Sequence, residues 1–182
     1  MQTYISILRG INVSGHKMMK MEALNALFAE LGFKNIKTYI QSGNVVFQFK
    51  ETPTDVLEKK IAKKIIEAFF FEVPVIVKKF IEVETILINN PFLNSRKEDP
   101  KLLHLTFLAA KPEEAELDKI KRGNYGADEF IVTDKSIYLF CPEGYGNTKL
   151  SNNFFERKLK LTATTRNWKT LNELVKIAKE MA

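Results

Sequence analysis

The sequence predicts an α+β protein made of two similar halves, and three observations support this prediction. Apolar residues follow the spacing of strands in some segments and the spacing of helices in others. The predicted order strand-helix-strand-strand-helix-strand occurs in residues 1–80 and again in residues 102–182. Of the 182 residues, 45% are apolar, which is enough to bury a substantial core and argues against a disordered chain.

The first half, residues 1–80, contains four predicted strands and two predicted helices. Apolar residues from Met21 to Leu31 recur at spacings of three and four, which predicts a helix, and Gly32 is typical of the position after its end. A hairpin is predicted at Gln41-Ser42-Gly43-Asn44, between two β-rich runs. The predicted strands are 4–8, 36–40, 45–49 and 75–79, and the predicted helices are 21–31 and 57–69.

Residues 81–101 are predicted to be a connector, with a short helix over 83–88 and then the breakers Asn89-Asn90-Pro91. The elements predicted for residues 102–182 are strands 102–109, 130–133, 137–141 and 162–165, helices 112–121 and 154–159, and an extra C-terminal helix. The order β-α-β-β-α-β is typical of the ferredoxin-like fold. We therefore predict two tandem ferredoxin-like halves with antiparallel sheets, joined by the helical connector and followed by the C-terminal helix.

The cysteine and histidine content excludes several classes of site. Cys141 is the single cysteine, so no internal disulfide can form, and we expect a cytoplasmic protein. His16, His104 and Cys141 are too few for the usual four-ligand zinc site, so we expect no metal, and no pattern indicates a cofactor. No standard catalytic motif is present, so the sequence leaves open whether the protein is an enzyme. No apolar run reaches the roughly 20 residues of a membrane span, and we expect no membrane association.

The net charge of +6 is concentrated at the two ends of the sequence. Residues 1–50 carry 6 basic and 2 acidic side chains, residues 51–146 carry 14 and 17, and residues 147–182 carry 8 and 3. Basic ends favour an anionic ligand or partner, although an ordinary solvated surface would have the same charges. The acidic middle argues against one long basic track for nucleic acid.

Loops in both halves are predicted to bring polar and basic residues together at strand ends. In a β-α-β-β-α-β half, the loop after the first strand and the turn between the second and third strands share one end of the sheet. This predicts one cluster from loops 9–17 and 42–44 and, after the third and fourth strands of the second half, another from loops 145–152 and 165–168. The candidate ligand-binding residues are Arg9, Asn12, Lys17, Ser42, Asn44, Tyr145, Lys149, Arg166 and Trp168.

Each candidate also has a structural interpretation. Arg9 and Arg166 have the planar donors that bind a carboxylate or phosphate. Asn153 and Glu156 have the spacing of a capping box, whose helix N-terminus attracts anions. The same types of polar side chain also cap helices and tie loops together. Trp168 suits core or interface packing better than the alternative, stacking on a base.

Four segments resemble one known family. They are ILRGINVSG (7–15), TYIQSGNVVF (38–47), KLSNNFFE (149–156) and TTRNW (164–168), and they are similar to motifs of the bacterial "domain of unknown function 1697" family. Ser14 replaces the first of the paired glycines in the usual RGINVGG, and Ser151 keeps the hydroxyl of the usual KLTN. The resemblance implies a ferredoxin-like architecture and assigns no activity.

Three hypotheses of function follow, in order of preference. The first is binding of a small anionic ligand, such as a nucleotide or a phosphorylated or carboxylated metabolite, in a cleft to which both loop clusters contribute. The second is binding of nucleic acid, which the alternating Val45, Phe47 and Phe49 would favour if their side chains were exposed. The third is a protein–protein interaction module with an exposed apolar patch. The sequence does not predict the oligomeric state.

Overall fold

Two four-stranded antiparallel sheets form the framework of the protein in a computed structural model that describes residues 1–181. The earlier elements are β1 (Gln2–Leu8), α1 (Met21–Glu30), β2 (Lys34–Tyr39), β3 (Asn44–Phe49), α2 (Thr54–Phe69) and β4 (Val75–Lys79). The later ones are α3 (Phe80–Ile88), α4 (Pro91–Arg96), β5 (Leu103–Leu108), α5 (Glu114–Lys121), β6 (Glu129–Thr133), β7 (Ser136–Phe140), α6 (Asn152–Leu159), β8 (Ala163–Asn167) and α7 (Trp168–Glu180). The strand orders are β2-β3-β1-β4 and β6-β7-β5-β8, as expected for ferredoxin-like sheets. The predicted α+β class with tandem ferredoxin-like halves is therefore confirmed.

The chain divides into two compact units with one sheet each. Unit 1 consists of Met1–Ile86 and the stretch that begins at Asn172, and unit 2 consists of Leu87–Leu171. The sequence pattern assigned the whole terminal helix to the second half, whereas most of α7 groups with unit 1. There, Gln48 Nε2 donates to the Met181 carbonyl over 2.8 Å. The amphipathic pattern of α7 indicates a buried face, and it contains no information about which segment covers that face.

Aromatic side chains dominate the core of unit 1. The ring of Phe47 on β3 lies 4.4 Å from that of Phe33 and 5.3 Å from that of Phe28, centroid to centroid. Tyr4 on β1 stacks on Phe47 at 5.5 Å, and its hydroxyl donates to the Thr52 carbonyl and accepts from the Thr52 amide. All four rings are buried. Large buried rings with a satisfied polar end make a rigid base for the loops of this sheet.

One backbone hydrogen bond recurs at the same place in both units. Leu8, the last residue of β1, donates its amide to the Gly43 carbonyl over 2.9 Å. Leu108, the last residue of β5, donates its amide to the Lys135 carbonyl, also over 2.9 Å. In each unit the end of the first strand therefore meets the turn between the second and third strands, which is the arrangement that the predicted topology requires.

The connector contains more helix than the sequence predicts. The helix α3 covers the predicted segment, and α4 begins at Pro91, among the residues expected to break the chain. The side chain of Asn90 accepts a hydrogen bond from the Phe92 amide over 2.9 Å, and proline suits the first position of a helix. Asn90 and Pro91 therefore begin α4, and they also separate α4 from α3.

Candidate functional site

The loop after β1 folds into a small β-hairpin of its own. Val13 and His16 form an antiparallel bridge, in which the His16 amide donates to the Val13 carbonyl over 2.9 Å. The Asn12 amide donates to the Lys17 carbonyl over 3.2 Å. At the tip, Ser14 and Gly15 both have positive φ angles, 49° and 76°, as a two-residue hairpin turn of type I′ requires. Residues 13–18 are exposed, so this hairpin presents its tip to solvent.

The side chain of Asn12 ties the hairpin to the body of unit 1. Its Nδ2 donates to the Met19 carbonyl over 2.9 Å and to the Gln41 carbonyl over 2.8 Å, while its Oδ1 accepts from the Met19 amide over 2.7 Å. An asparagine amide has two donors, and both are used here. Asn12, a predicted ligand-binding residue, therefore joins the loop after β1 to the turn between β2 and β3.

The turn between β2 and β3 is held by Asn44 and Ser42. Asn44 is fully buried, and its Nδ2 donates to the Tyr39 carbonyl over 3.1 Å and to Ser42 Oγ over 2.8 Å. Gly43 has a φ of +79°, and a Cβ there would lie 2.7 Å from Leu8 Cβ. Only glycine fits this position, because a side chain would collide with β1 and would strain the backbone. Ser42 and Asn44, both predicted to bind ligand, thus shape the turn.

Ile40 adds a strained residue to the same turn. Its φ is +50°, a left-handed conformation that β-branched residues rarely adopt. The residue is nevertheless 49% exposed, so burial offsets only part of the strain. Such strain persists only where surrounding contacts fix the backbone, and it concentrates at functional sites.

Basic groups cluster at this end of unit 1. Lys17 Nζ donates to the Glu72 carbonyl over 2.6 Å, and the Arg9 amide donates to the Pro74 carbonyl over 2.9 Å. Lys17, like His16, is exposed, whereas Arg9 is half-buried. Glu72, which is also exposed, lies beside Lys17 and offsets part of this charge. The structure brings Arg9, Asn12, Lys17, Ser42 and Asn44 to one end of the sheet, where the two basic side chains outnumber the Glu72 carboxylate.

In unit 2, the predicted loops 145–152 and 165–168 contact each other through polar groups. Thr165 Oγ1 lies 2.7 Å from Thr106 Oγ1 and donates to Asn152 Oδ1 over 2.6 Å. The ring of Tyr145 stacks on that of His104, with centroids 4.7 Å apart. This network joins β5, β8 and the start of α6. The sequence pattern placed the first loop near β8, but the contributions of His104 and Thr106 were missed because each reads as an ordinary strand residue.

The other predicted residues of unit 2 are Arg166, Trp168 and Lys149. Side chains alternate along β8, so Arg166 lies on the face of the sheet opposite Thr165. Arg166 Nη1 donates to Thr164 Oγ1 and to the Thr165 carbonyl, each over 2.9 Å. Trp168 is buried, with 5% of its surface exposed. Lys149 is exposed.

Burial shifts the protonation of two side chains in unit 2. It lowers the pKa of His104, and this effect outweighs a hydrogen bond with the Leu102 backbone that acts in the opposite direction. Burial also raises the pKa of the Cys141 thiol to about 11. The imidazole is therefore neutral and the thiol protonated at neutral pH, which makes Cys141 a poor nucleophile.

Within residues 1–181, the structure contains no group of three or more His, Cys, Asp or Glu side chains able to hold a metal ion. None of the helices described there is both long enough and apolar enough to cross a bilayer.

The fold and these loops define a class: α+β proteins of two ferredoxin-like units with polar loops at the strand ends. The chain belongs to the family described as "Protein of unknown function (DUF1697)", whose model matches residues 1–138. It is also similar in structure to "conserved bacterial protein SP0830 from Streptococcus pneumoniae", with a TM-score of 0.75 and 21% sequence identity. That match covers 97% of this chain and 98% of the other. The curated proteins contain no match to this chain.

The family match includes the loops of unit 1. Residues 7–15 and 38–47, two of the four segments that carry the resemblance, lie within the matched range. The segments 149–156 and 164–168 lie beyond it, although the structural match extends over nearly the whole chain. At 21% identity, the structural match establishes the fold.

Proposed function

We propose that this protein binds a small anionic ligand, carrying a phosphate or a carboxylate, at the loops 9–17 and 42–44 of unit 1. The observation that carries the proposal is the joining of a basic, exposed hairpin to a buried turn by the side chain of Asn12. A loop that is fixed before binding loses little entropy when the ligand arrives. The proposed ligand is therefore bound by a preformed surface.

In the proposed site, some groups would contact the anion and others would hold the loops in position. Lys17 and Arg9 supply positive charge, and the exposed backbone amides of Ser14 and Gly15 supply uncharged donors at the tip. Asn12, Ser42 and Asn44 would act as positioning residues, because their side chains are used in holding the loops.

The second loop cluster is less suited to the same ligand. Arg166 donates to Thr164 and Thr165, and Asn152 accepts from Thr165. Tyr145 is stacked on His104. We therefore assign the anion to unit 1 and give Lys149 and Trp168 no part in its binding.

Nucleic acid is the weaker alternative for this protein. A base-stacking platform needs exposed aromatic rings on a sheet face, and Phe47 is buried against Phe28 and Phe33. Val45 is also fully buried. The remaining support for nucleic acid is charge alone, which predicts binding that weakens steeply with salt.

The proposal also covers the cellular compartment of the protein and its source organism. We infer a cytoplasmic protein, because a chain with a single cysteine forms no internal disulfide, which suits a reducing compartment. A bacterial source is supported by the bacterial origin of the structural relative.

Isothermal titration calorimetry of the full chain tests the proposal. The panel is inorganic phosphate, AMP, ATP, glucose 6-phosphate, citrate and a short single-stranded RNA. We expect saturable binding of at least one small anion, weakened about tenfold by Lys17→Gln, since one charge-assisted hydrogen bond is lost. Lys37→Gln is the matched control, because Lys37 is an exposed lysine on β2, outside loops 9–17 and 42–44.

Two results would contradict the proposal. One is an equal effect of Lys17→Gln and Lys37→Gln, which would indicate general attraction to a basic surface. The other is binding of the RNA alone, with an affinity that falls steeply as salt is raised. The second result would favour the hypothesis that the protein binds nucleic acid.

A further inference from the structure

An open groove of about 630 Å³ lies in unit 2 between α5 and the edge strand β6. Leu117 and Lys121 of α5 form one wall, and Phe130, Ile131 and Val132 of β6 form the other. None of the residues predicted from sequence to bind ligand lines this groove. It is also separate from the loops of unit 1 to which the anion is assigned.

The backbone of β6 presents unpaired groups along this groove. β6 pairs residue for residue with β7, without a bulge, and a two-residue turn joins Thr133 to Ser136. A hairpin of this kind makes Thr133 and Ser136 a hydrogen-bonded pair, and such pairs alternate along the ladder. Phe130 and Val132 therefore direct their N–H and C=O groups away from β7, toward the open edge.

The corresponding edge of unit 1 is protected. The pairing of β2 with β3 shifts register between Lys34 and Lys37, and both lysines are exposed. Asn25 of α1 also donates to the Ile36 carbonyl over 3.4 Å, so the helix meets the strand there. Bulges and lysines are common devices that prevent another strand from pairing with an edge. β6 has neither device.

The charge of the groove indicates what would occupy it. The whole chain has a net charge of +6, but the groove has four carboxylates and two ammonium groups in its lining. These six side chains are Glu114, Asp128, Glu129 and Asp134, with Lys111 and Lys121. Glu129 is paired with Arg96 over 2.7 Å, which offsets its charge, and Asp128 accepts from Thr148, so Glu114 and Asp134 are the other two carboxylates of the lining. A segment with positive charge at its ends is complementary to this surface.

In the register that pairs β6 along its whole length, a second copy of the chain is a poor occupant. Antiparallel pairing of β6 with its copy about Ile131 would place Asp128 opposite Asp134 of the other strand, at both ends of the ladder. Like charges directly opposite each other destabilise a pair of strands. The same carboxylates would attract lysine or arginine.

We propose that the edge of β6 binds an extended peptide segment of a partner protein, with a central apolar run flanked by lysine or arginine. The segment would add to the sheet as a further strand by exchanging hydrogen bonds with Phe130 and Val132. Its apolar side chains would pack against Leu117, and its basic ends would lie near Asp134 and Glu114.

Fluorescence anisotropy with the full chain tests this proposal. The probe is a fluorescein-labelled peptide, Lys-Lys-Val-Thr-Val-Thr-Val-Lys-Lys, and its counterpart with glutamate in place of every lysine is the charge control. We expect saturable binding of the first peptide only, weakened about tenfold or more by Val132→Pro. Proline removes the outward N–H of Val132 and leaves the pairing with β7 intact, as is usual for proline on edge strands.

Hydrogen exchange of the unaltered protein provides a second measurement. It uses no variant, so a folding defect of Val132→Pro cannot affect the result. We expect the amides of Phe130 and Val132 to exchange more slowly when the lysine peptide is added. Absence of saturable binding, equal binding of the glutamate peptide, or unchanged exchange at both amides would overturn the proposal. Dimerisation of the chain in analytical ultracentrifugation that Val132→Pro abolishes would also overturn it, because a second copy would then occupy the edge.

Discussion

The Asn12 Nδ2 atom donates to the Gln41 carbonyl over 2.8 Å, across 29 positions of sequence. The same side chain forms two further hydrogen bonds with Met19. One residue thus fixes the loop after β1 against the turn between β2 and β3. Because those loops form the proposed site, the stability of the loops and the binding of ligand are expected to depend on the same contacts.

Replacing Asn12 with alanine should destabilise the protein. Three hydrogen bonds are lost, and alanine tolerates the positive φ of 54° less well than asparagine does. We expect the free energy of unfolding to fall by about 2 kcal/mol. Urea denaturation followed by circular dichroism measures this change. An unaltered midpoint would show that Asn12 does not hold the loops together.

Two glycines with similar φ angles offer a matched comparison. Gly43→Ala would bring a Cβ within 2.7 Å of Leu8, whereas Gly15→Ala meets no atom within 4 Å. Both changes carry the backbone penalty of a positive φ, about 1 kcal/mol. We expect Gly43→Ala to cost about 2 kcal/mol more, because of the collision with β1. Thermal unfolding of both variants checks this, and equal losses would contradict the close packing of the turn.

Asparagine at position 40 should stabilise the protein. Ile40 has a left-handed conformation although 49% of its surface stays exposed, and asparagine adopts that conformation readily. We expect Ile40→Asn to raise the free energy of unfolding by about 1 kcal/mol. The control is Ile66→Asn, at an isoleucine of comparable exposure, 43%, inside α2, where asparagine should be mildly destabilising. A loss of stability in Ile40→Asn would show that the turn depends on the isoleucine side chain.

Burial of His104 should make stability depend on pH. Its pKa is lowered in the folded protein, so the unfolded chain binds more protons when the pH falls below the ordinary histidine pKa of about 6.5. Its contribution to stability is therefore complete above that pH and is lost as the pH falls toward the lower folded pKa. Urea midpoints from pH 7.5 to 5.5 measure this loss.

The variant His104→Gln should reduce the slope of stability against pH in this range. His16→Gln, at an exposed position of the hairpin, is the control and should retain the slope. If both variants had the same slope as the unaltered protein, burial of His104 would not be the cause of the pH dependence.

The order of the elements was predictable, and several of their boundaries were not. Apolar spacing identified every strand of both sheets, including the edge strands β2 and β6, whose residues are at most half-buried. It did not identify the residue that caps α6. Asn153 and Glu156 have capping-box spacing, yet Ser151 Oγ accepts from the Phe154 amide, and Glu156 instead accepts from the amide of Ala163. A spacing rule is satisfied by any suitable pair, and tertiary contacts decide which pair is used.

The chemistry of the loops was predictable to a similar degree. Topology placed loops 9–17 and 42–44 at one end of the sheet, and the structure has them there. The sequence pattern did not distinguish side chains that bind from side chains that hold a loop, because Asn12 and Asn44 have donors suited to either role. The groove beside β6 had no sequence signal at all, since it depends on the separation between a helix and a strand.

The most direct test of the central claim is a titration of the full chain with AMP, followed residue by residue through its amide chemical shifts in nuclear magnetic resonance spectra. We expect saturable shifts in the amides of residues 9–17 and 42–44. At a higher salt concentration, AMP should bind more weakly, and the same amides should shift less at a given AMP concentration. Shifts confined to other segments, or no saturable shifts in these loops with AMP, inorganic phosphate or citrate, would contradict the assignment of an anion site to unit 1.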